Sequence, residues 1–269
     1  MLGSKMNRRV LGKAILFSVV ALSSVPAWSL DRLKIAIVGA DAEITWTQVK
    51  RLAADKGLQI DVVAFNDFIV PNAALDAGDV DVAAFQTRPH LELQVSERNF
   101  RIAPVGSMYL SPLGLYSKRF KRPEDLPEGA TIALANDASN LARMLLFMQN
   151  LNLIKLTPGA GQCAALADIV ENPKKLKFVE LDPGLSARSL DDVSATFLPR
   201  ALALMAGLKP KGDAIATEPL ADNPFVLVMS ARTADKDNPL IKKLVSIFQS
   251  PENKNFIETR FEGGIIPAW

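Results

Sequence analysis

The stretch LKIAIVG at residues 33–39 begins the pattern that decides the fold. It is a short apolar run that ends in glycine, which is typical of a buried β-strand. Residues 43–56 carry apolar side chains at helical spacing, which predicts a helix that ends at Gly57. QIDVVAF at residues 59–65 predicts the next strand. This strand–helix–strand order indicates a parallel α/β arrangement.

The same alternation of strands and helices continues along the rest of the chain. The remaining predicted strands are at residues 80–85, 130–135, 176–181 and 193–198, and the remaining helices are at 71–77 and 139–150. Asn238-Pro239 and Ser250-Pro251 each pair an N-cap residue with a proline that suits the first helical position, so each predicts the start of a helix.

Two extended stretches predict places where the chain crosses between lobes. One is residues 109–117, which Pro112 interrupts, and the other is residues 222–230. If both are crossings, lobe one holds residues 30–112 plus 222–269 and lobe two holds 113–221. Two crossings form a hinge about which lobes can close on a ligand.

The charge of the chain is unevenly distributed. The formal net charge of +2 includes +4 from residues 1–29, so residues 30–269 carry −2. With 49% hydrophobic and 22% charged residues, the chain has ordinary globular composition. No basic surface of the kind that binds nucleic acid is indicated, so we expect no nucleic-acid partner.

The N-terminal residues predict a signal peptide at 1–29. A basic segment precedes the apolar run at residues 14–22, which is too short to span a bilayer, and small residues suit cleavage before Trp28 or Leu30. Cys163 is the only cysteine, so no cysteine is present for a lipid at the end of this segment. We therefore expect a soluble, periplasmic monomer without a stable membrane anchor. Cys163 itself is expected to be a small buried residue.

Catalytic signatures are missing from the sequence. His90 and Cys163 are the only residues of their types, and no nucleophile elbow, Walker loop or His-Glu-x-x-His motif occurs. A metal site would need a cluster of such ligands, so we expect neither a metal nor a cofactor. Catalysis by paired carboxylates stays open, but no pair stands out. Ligand binding is the class that the sequence favours.

Candidate binding residues follow two predicted strands. Asn136, Ser139 and Arg143 lie where a strand turns into a helix, and ligands of α/β sheets bind at such strand ends. A guanidinium there suits a carboxylate, although Arg143 paired with Asp137 or solvated is an equal alternative. After another strand, Phe85 suits an apolar ligand group and Arg88 and His90 suit polar ones; the same cleft is expected to include two more aromatic residues, Phe68 and Tyr109.

These segments resemble the methionine-binding lipoprotein (NlpA) family of ABC importers over nearly the whole of residues 33–269. The likeness is carried by FNDFIVPNAAL at 65–75, PLGLYSK at 112–118, DLPEGAT at 125–131, DIVENPK at 168–174, RSLDDV at 188–193 and GIIPAW at 264–269. The resemblance implies an α/β, two-lobed periplasmic-binding-protein fold of type 2. Each lobe would be a mixed sheet flanked by helices, with two hinge crossings.

The resemblance also implies roles for individual residues. Arg143 matches the family arginine that holds an amino-acid carboxylate, and Phe85 and Phe68 match aromatic pocket positions. Family asparagines that hold the ammonium and carboxylate groups are replaced by residues that cannot do so: Pro199, Ala201 and Leu227.

A family member of this kind would bind methionine or a related carboxylate and pass it to an ABC importer permease. The alternative function on the same scaffold is a ligand sensor or interaction protein that takes no part in transport. Because Arg88 and Arg200 are expected to make the cleft more cationic, a further hypothesis is that specificity has moved toward an anionic ligand without an α-amine.

Overall fold

The computed structural model describes residues 31–269. The predicted signal peptide at residues 1–29 lies outside the described residues. Among the residues that are described, no helix combines the length and the apolar character needed to cross a membrane.

The described chain alternates strands and helices. The helices are α1 (Ala40–Ala54), α2 (Val70–Ala77), α3 (Arg88–Arg98), α4 (Ala138–Asn150), α5 (Arg200–Met205), α6 (Pro210–Asp213), α7 (Pro239–Phe248) and α8 (Pro251–Phe261). The strands are β1 (Asp31–Val38), β2 (Leu58–Phe65), β3 (Val82–Thr87), β4 (Ile102–Ser107), β5 (Tyr109–Leu110), β6 (Leu113–Tyr116), β7 (Thr131–Ala135), β8 (Lys155–Leu156), β9 (Ile169–Glu171), β10 (Lys177–Leu181), β11 (Ala195–Pro199), β12 (Ala214–Thr217), β13 (Leu227–Arg232) and β14 (Ile266–Pro267).

Two five-stranded sheets organise the molecule. The first has the order β2-β1-β3-β13-β4, and the second has the order β10-β7-β11-β6-β12. In each sheet the first three strands pair in parallel, as the strand–helix–strand pattern predicts. The fourth strand of each sheet pairs antiparallel with both neighbours. Both sheets are therefore mixed, which confirms the α/β prediction.

Each sheet has its own apolar core. In the first sheet, Trp46 of α1 and Phe248 of α7 are fully buried, with ring centroids 5.4 Å apart. In the second, Phe147 of α4 packs against Phe197 of β11 at a centroid distance of 5.5 Å. Each sheet is covered by helices from its own part of the chain. Each sheet and its helices therefore form a separate layered unit.

The two N-cap predictions for the C-terminal helices are confirmed. The Asn238 side chain accepts a hydrogen bond from the Leu240 N–H at 2.9 Å, and the Ser250 hydroxyl accepts one from the Asn253 N–H at 3.3 Å. These caps satisfy N–H groups that have no partner within the helix.

The chain passes from one sheet to the other in two places. The first passage lies between β5 and β6, and the second lies between β12 and β13. Short β14 pairs with β5 and so brings the C-terminal residues beside the first passage.

One local expectation is wrong, and one helix is not predicted from the sequence. Cys163 is exposed, because it lies in a short surface turn and not in an apolar core. Residues 88–98 form a helix, α3, that the sequence reading did not assign. Thr87 is the N-cap of this helix, and its side chain accepts a hydrogen bond from the His90 N–H. Pro89 lies in the first turn.

Candidate functional site

A cavity of about 430 Å³ lies between the two sheets. Its volume is in the range of small-molecule sites. Its wall comes mainly from residues at the carboxyl ends of parallel strands, where α/β sheets place their ligands. Those of the first sheet are Gly39, Asp41, Phe65, Asn66, Phe68, Phe85, Thr87 and His90; those of the second are Asn140, Arg143, Met144, Pro183, Gly184, Pro199, Ala201 and Leu202.

Helix α4 presents one face to this cavity. Asn140, Arg143 and Met144 line the wall, and their spacing of three and four residues places them on one side of the helix. Asp137 caps the helix by accepting from the Asn140 N–H at 3.0 Å. Asp137 therefore does not pair with Arg143, which removes that alternative.

Arg143 forms a buried ion pair with Glu218. Its Nε donates to Oε1 at 2.9 Å and its Nη2 donates to Oε2 at 2.5 Å, and both side chains are 5% exposed. Nη2 also donates to the Ser111 carbonyl at 2.9 Å, while Glu218 Oε2 accepts from the Leu113 N–H at 3.1 Å. The Phe225 ring lies 5.0 Å from the guanidinium carbon. Arg143 lines the cavity, and its Nη1 has no hydrogen-bond partner among the described residues.

A second ion pair joins the two units across the cleft. Arg200, at the start of α5, donates from Nη1 to Oδ1 of Asp41, in the first turn of α1. The guanidinium carbon of Arg200 also lies 5.0 Å from the Phe261 ring centroid. The charge of Arg200 is therefore neutralised by Asp41 and is not free for a ligand.

His90 is a buried polar side chain at the cavity wall. It is 8% exposed, and neither ring nitrogen has a hydrogen-bond partner among the described residues. Burial lowers the pKa of His90 below its usual 6.5, against the opposing effect of Asp137, whose Oδ1 lies 4.0 Å from Nδ1. The imidazole is thus neutral near pH 7, with one nitrogen able to donate and the other able to accept.

The aromatic part of the wall comes from the first sheet. The rings of Phe68 and Phe85 lie 6.3 Å apart, with Phe68 41% exposed at the rim and Phe85 buried behind it. Tyr109 is also buried at the wall, and burial together with the Asp41 carboxylate raises the pKa of its hydroxyl.

The structure brings five of the nine predicted site residues to the cavity: Arg143, Phe85, Phe68, His90 and Tyr109. The other four lie elsewhere. Arg88 is exposed because it begins α3 on the side away from Thr87 and His90. Asn136 is exposed before α4, and Ser139, one helical turn before Arg143, is buried in the first turn of α4 and does not line the cavity. Arg200 is turned toward Asp41.

The expectation of a more cationic cleft is therefore wrong. Arg88 does not reach the cavity, and the charges of Arg143 and Arg200 are each matched by a carboxylate. The three positions where the resemblance led us to expect asparagines do line the wall, and all three are apolar: Pro199, Ala201 and Leu227.

Sequence reasoning missed Asp41, Asn140 and Glu218. Asp41 follows the first strand in the same way that Asn136 follows a later one, so the strand-end rule could have found it. Asn140 lies one helical turn before Arg143 on the same face. No local pattern in the sequence identifies Glu218, because its partner Arg143 is 75 residues away.

Comparison with known proteins places the chain among binding proteins. The D-methionine-binding lipoprotein MetQ of Yersinia pestis is 37% identical over 235 residues, which are 87% of this chain and 86% of the relative. The protein of the same name from Escherichia coli K12 is 38% identical over 236 residues, with the same coverage.

Solved structures agree with these sequence relatives. A nutrient-binding protein from Burkholderia cenocepacia bound to methionine has a TM-score of 0.84 and 45% identity, over 88% of this chain and all of that one. A periplasmic substrate-binding protein of an ABC transporter from Coxiella burnetii has a TM-score of 0.84 and 36% identity with the same coverage. The profile of the NlpA lipoprotein family matches residues 33–269, and the chain belongs to that family.

Proposed function

We propose that the protein is a substrate-binding protein of an ABC importer that captures methionine or a closely related amino acid between its two lobes. The observation that carries this proposal is the cavity lined by both units, where Arg143 lies in the wall and its Nη1 has no protein partner. Buried polar groups are nearly always hydrogen-bonded, so a polar ligand is the expected partner. The relatives that bind methionine support this ligand class. The family is one of binding proteins, not enzymes.

The two lobes of this clamp are residues 30–112 plus 222–269 and residues 113–221. Strands β1–β5 and β13 belong to the first and strands β6–β12 to the second. Arg143 links the second lobe to both passages of the chain, since it binds Ser111 before β6 and Glu218 after β12. The Asp41–Arg200 pair then holds the lobes together on the far side of the cavity. A ligand that touches both lobes stabilises the closed form over the open one.

Within the cavity, Arg143 holds the ligand carboxylate through Nη1. A carboxylate there receives a charge-assisted hydrogen bond even though Glu218 occupies the other edge of the guanidinium. Phe68 and Phe85 contact the ligand side chain, together with Met144 and Leu227.

The protein works in the periplasm as a diffusing monomer. Its relatives are lipoproteins by name, whereas Cys163, the only cysteine of this sequence, is an exposed residue of the second lobe. The permease of the importer is the partner that recognises the closed lobes.

Methionine is expected to stabilise the purified protein against unfolding. A ligand that binds only the folded state adds about 2.7 kcal/mol at 100 times its dissociation constant. Thermal unfolding with L-methionine, D-methionine, other amino acids and small organic acids measures this. A rise in Tm with either form of methionine is the expected result. No shift with any amino acid would contradict the proposed function.

Arg143 is expected to act in both folding and binding, and two variants separate these roles. Arg143→Met leaves Glu218 buried without a partner and should cost about 3–5 kcal/mol of unfolding free energy. Adding Glu218→Gln removes the unpaired charge but keeps an acceptor for Leu113, so urea unfolding should show partial recovery. Calorimetry should find that neither variant binds methionine tightly. Recovery of wild-type affinity in the double variant would show that Arg143 is structural only.

His90 is expected to make stability depend on pH. Its pKa is lower in the folded state than the unfolded value of about 6.5, so its contribution is complete above pH 6.5 and declines as the pH falls toward the folded value. His90→Gln, which removes the only histidine, should flatten the unfolding free energy between pH 7.5 and 5.5. Equal slopes for the two proteins would contradict this assignment.

The location of the protein is tested by export. Expressed from the full sequence in a Gram-negative host, the protein should appear in the osmotic-shock fluid, begin at Trp28 or Leu30, and elute as a monomer. Isolation from the membrane fraction with a covalent lipid would contradict the diffusing form, and a dimer would contradict the monomer.

A further inference from the structure

Every charge at the cavity wall has a protein partner of opposite sign. Arg143 is matched by Glu218 and Asp41 is matched by Arg200. His90 also lines the cavity, and burial lowers its pKa, so its side chain is neutral. A buried charge without a counter-charge is costly, so a cavity of this kind disfavours a ligand with net charge.

Each ion pair nevertheless leaves one polar atom open. Arg143 uses Nε and Nη2 for Glu218 and Ser111, which leaves Nη1 as a donor. Asp41 uses Oδ1 for Arg200, and Oδ2 has no hydrogen-bond partner among the described residues. Neither open atom belongs to the fully enclosed atoms that lack partners, and both side chains line the cavity. The cavity thus has one cationic donor from the second lobe and one anionic acceptor from the first.

Both side chains line the same cavity, Arg143 from α4 of the second lobe and Asp41 from α1 of the first. Tyr109 and Ser111, on the first passage of the chain, lie in the same wall. An α-amino acid carries a carboxylate that can accept from the cationic donor and an ammonium that can donate to the anionic acceptor.

The surroundings of Asp41 are favourable for a carboxylate. It is 8% exposed, it lies in the first turn of the 15-residue helix α1, and it receives the Arg200 guanidinium. A helix N-terminus and a neighbouring cation both stabilise a carboxylate. An ionised carboxylate is a strong acceptor for an ammonium group.

We propose that Asp41 is the acceptor for the ammonium group of the ligand, and that the cavity therefore selects zwitterionic α-amino acids over amine-free acids. This inference rests on the proposed function. It provides an acceptor where Pro199, Ala201 and Leu227 supply none from their side chains.

The test compares two ligands with three forms of the whole protein. The ligands are L-methionine and 4-(methylsulfanyl)butanoate, which is methionine without its α-amine. The proteins are the wild type, Asp41→Asn and Arg200→Gln, and calorimetry gives each Kd while thermal unfolding confirms that each variant is folded. The wild type should prefer methionine by at least about tenfold.

Asp41→Asn should weaken methionine binding about 10- to 100-fold and leave the amine-free acid within about threefold. Arg200→Gln is the matched control, because it breaks the same ion pair but keeps the carboxylate. It should change both ligands by a similar factor and so preserve the preference for methionine.

The other outcomes are equally distinct. Equal losses in both variants for both ligands would show that Asp41 acts only through its ion pair, which overturns the inference and leaves the proposed function intact. A wild type that prefers the amine-free acid would also overturn the inference. A wild type that binds neither methionine nor any other amino acid would overturn both.

Discussion

The buried ion pair between Arg143 and Glu218 is the interaction on which the rest of the site depends. Two ions removed from water are stable only if hydrogen bonds replace those they lose. Here Glu218 accepts three, from Nε, Nη2 and the Leu113 N–H, and Arg143 gives a further one to Ser111. Because these partners lie on the strands that leave and enter the second lobe, one side chain fixes helix α4 to both passages. The cavity face of α4 is positioned as a result.

The same network explains why a cavity with several charged residues is close to electrically neutral. Each charge is matched within the protein, yet the pairing is incomplete at the level of single atoms, so directional donors and acceptors remain. Such a surface distinguishes ligands by where their charges lie as well as by their total charge. Pro199, Ala201 and Leu227 add apolar side chains to the same wall.

How much could be predicted from the sequence follows from the range of each interaction. The parallel strands and the N-caps at Asn238 and Ser250 are encoded by neighbouring residues and were predicted correctly. Residues at strand ends, such as Arg143 and His90, were also found, because position in an α/β sheet decides where they lie. The partners of the charges were not found. Arg143–Glu218 and Arg200–Asp41 join residues 75 and 159 positions apart, and no local pattern specifies such pairs.

Gly264 lies beside this network, next to the cavity residue Ile265. A Cβ atom there would lie 2.6 Å from Nε of Arg200 and 3.0 Å from the Phe261 carbonyl oxygen. A side chain at 264 would therefore crowd the guanidinium that binds Asp41. The ion pair between the two lobes thus depends on a residue that has no side chain of its own.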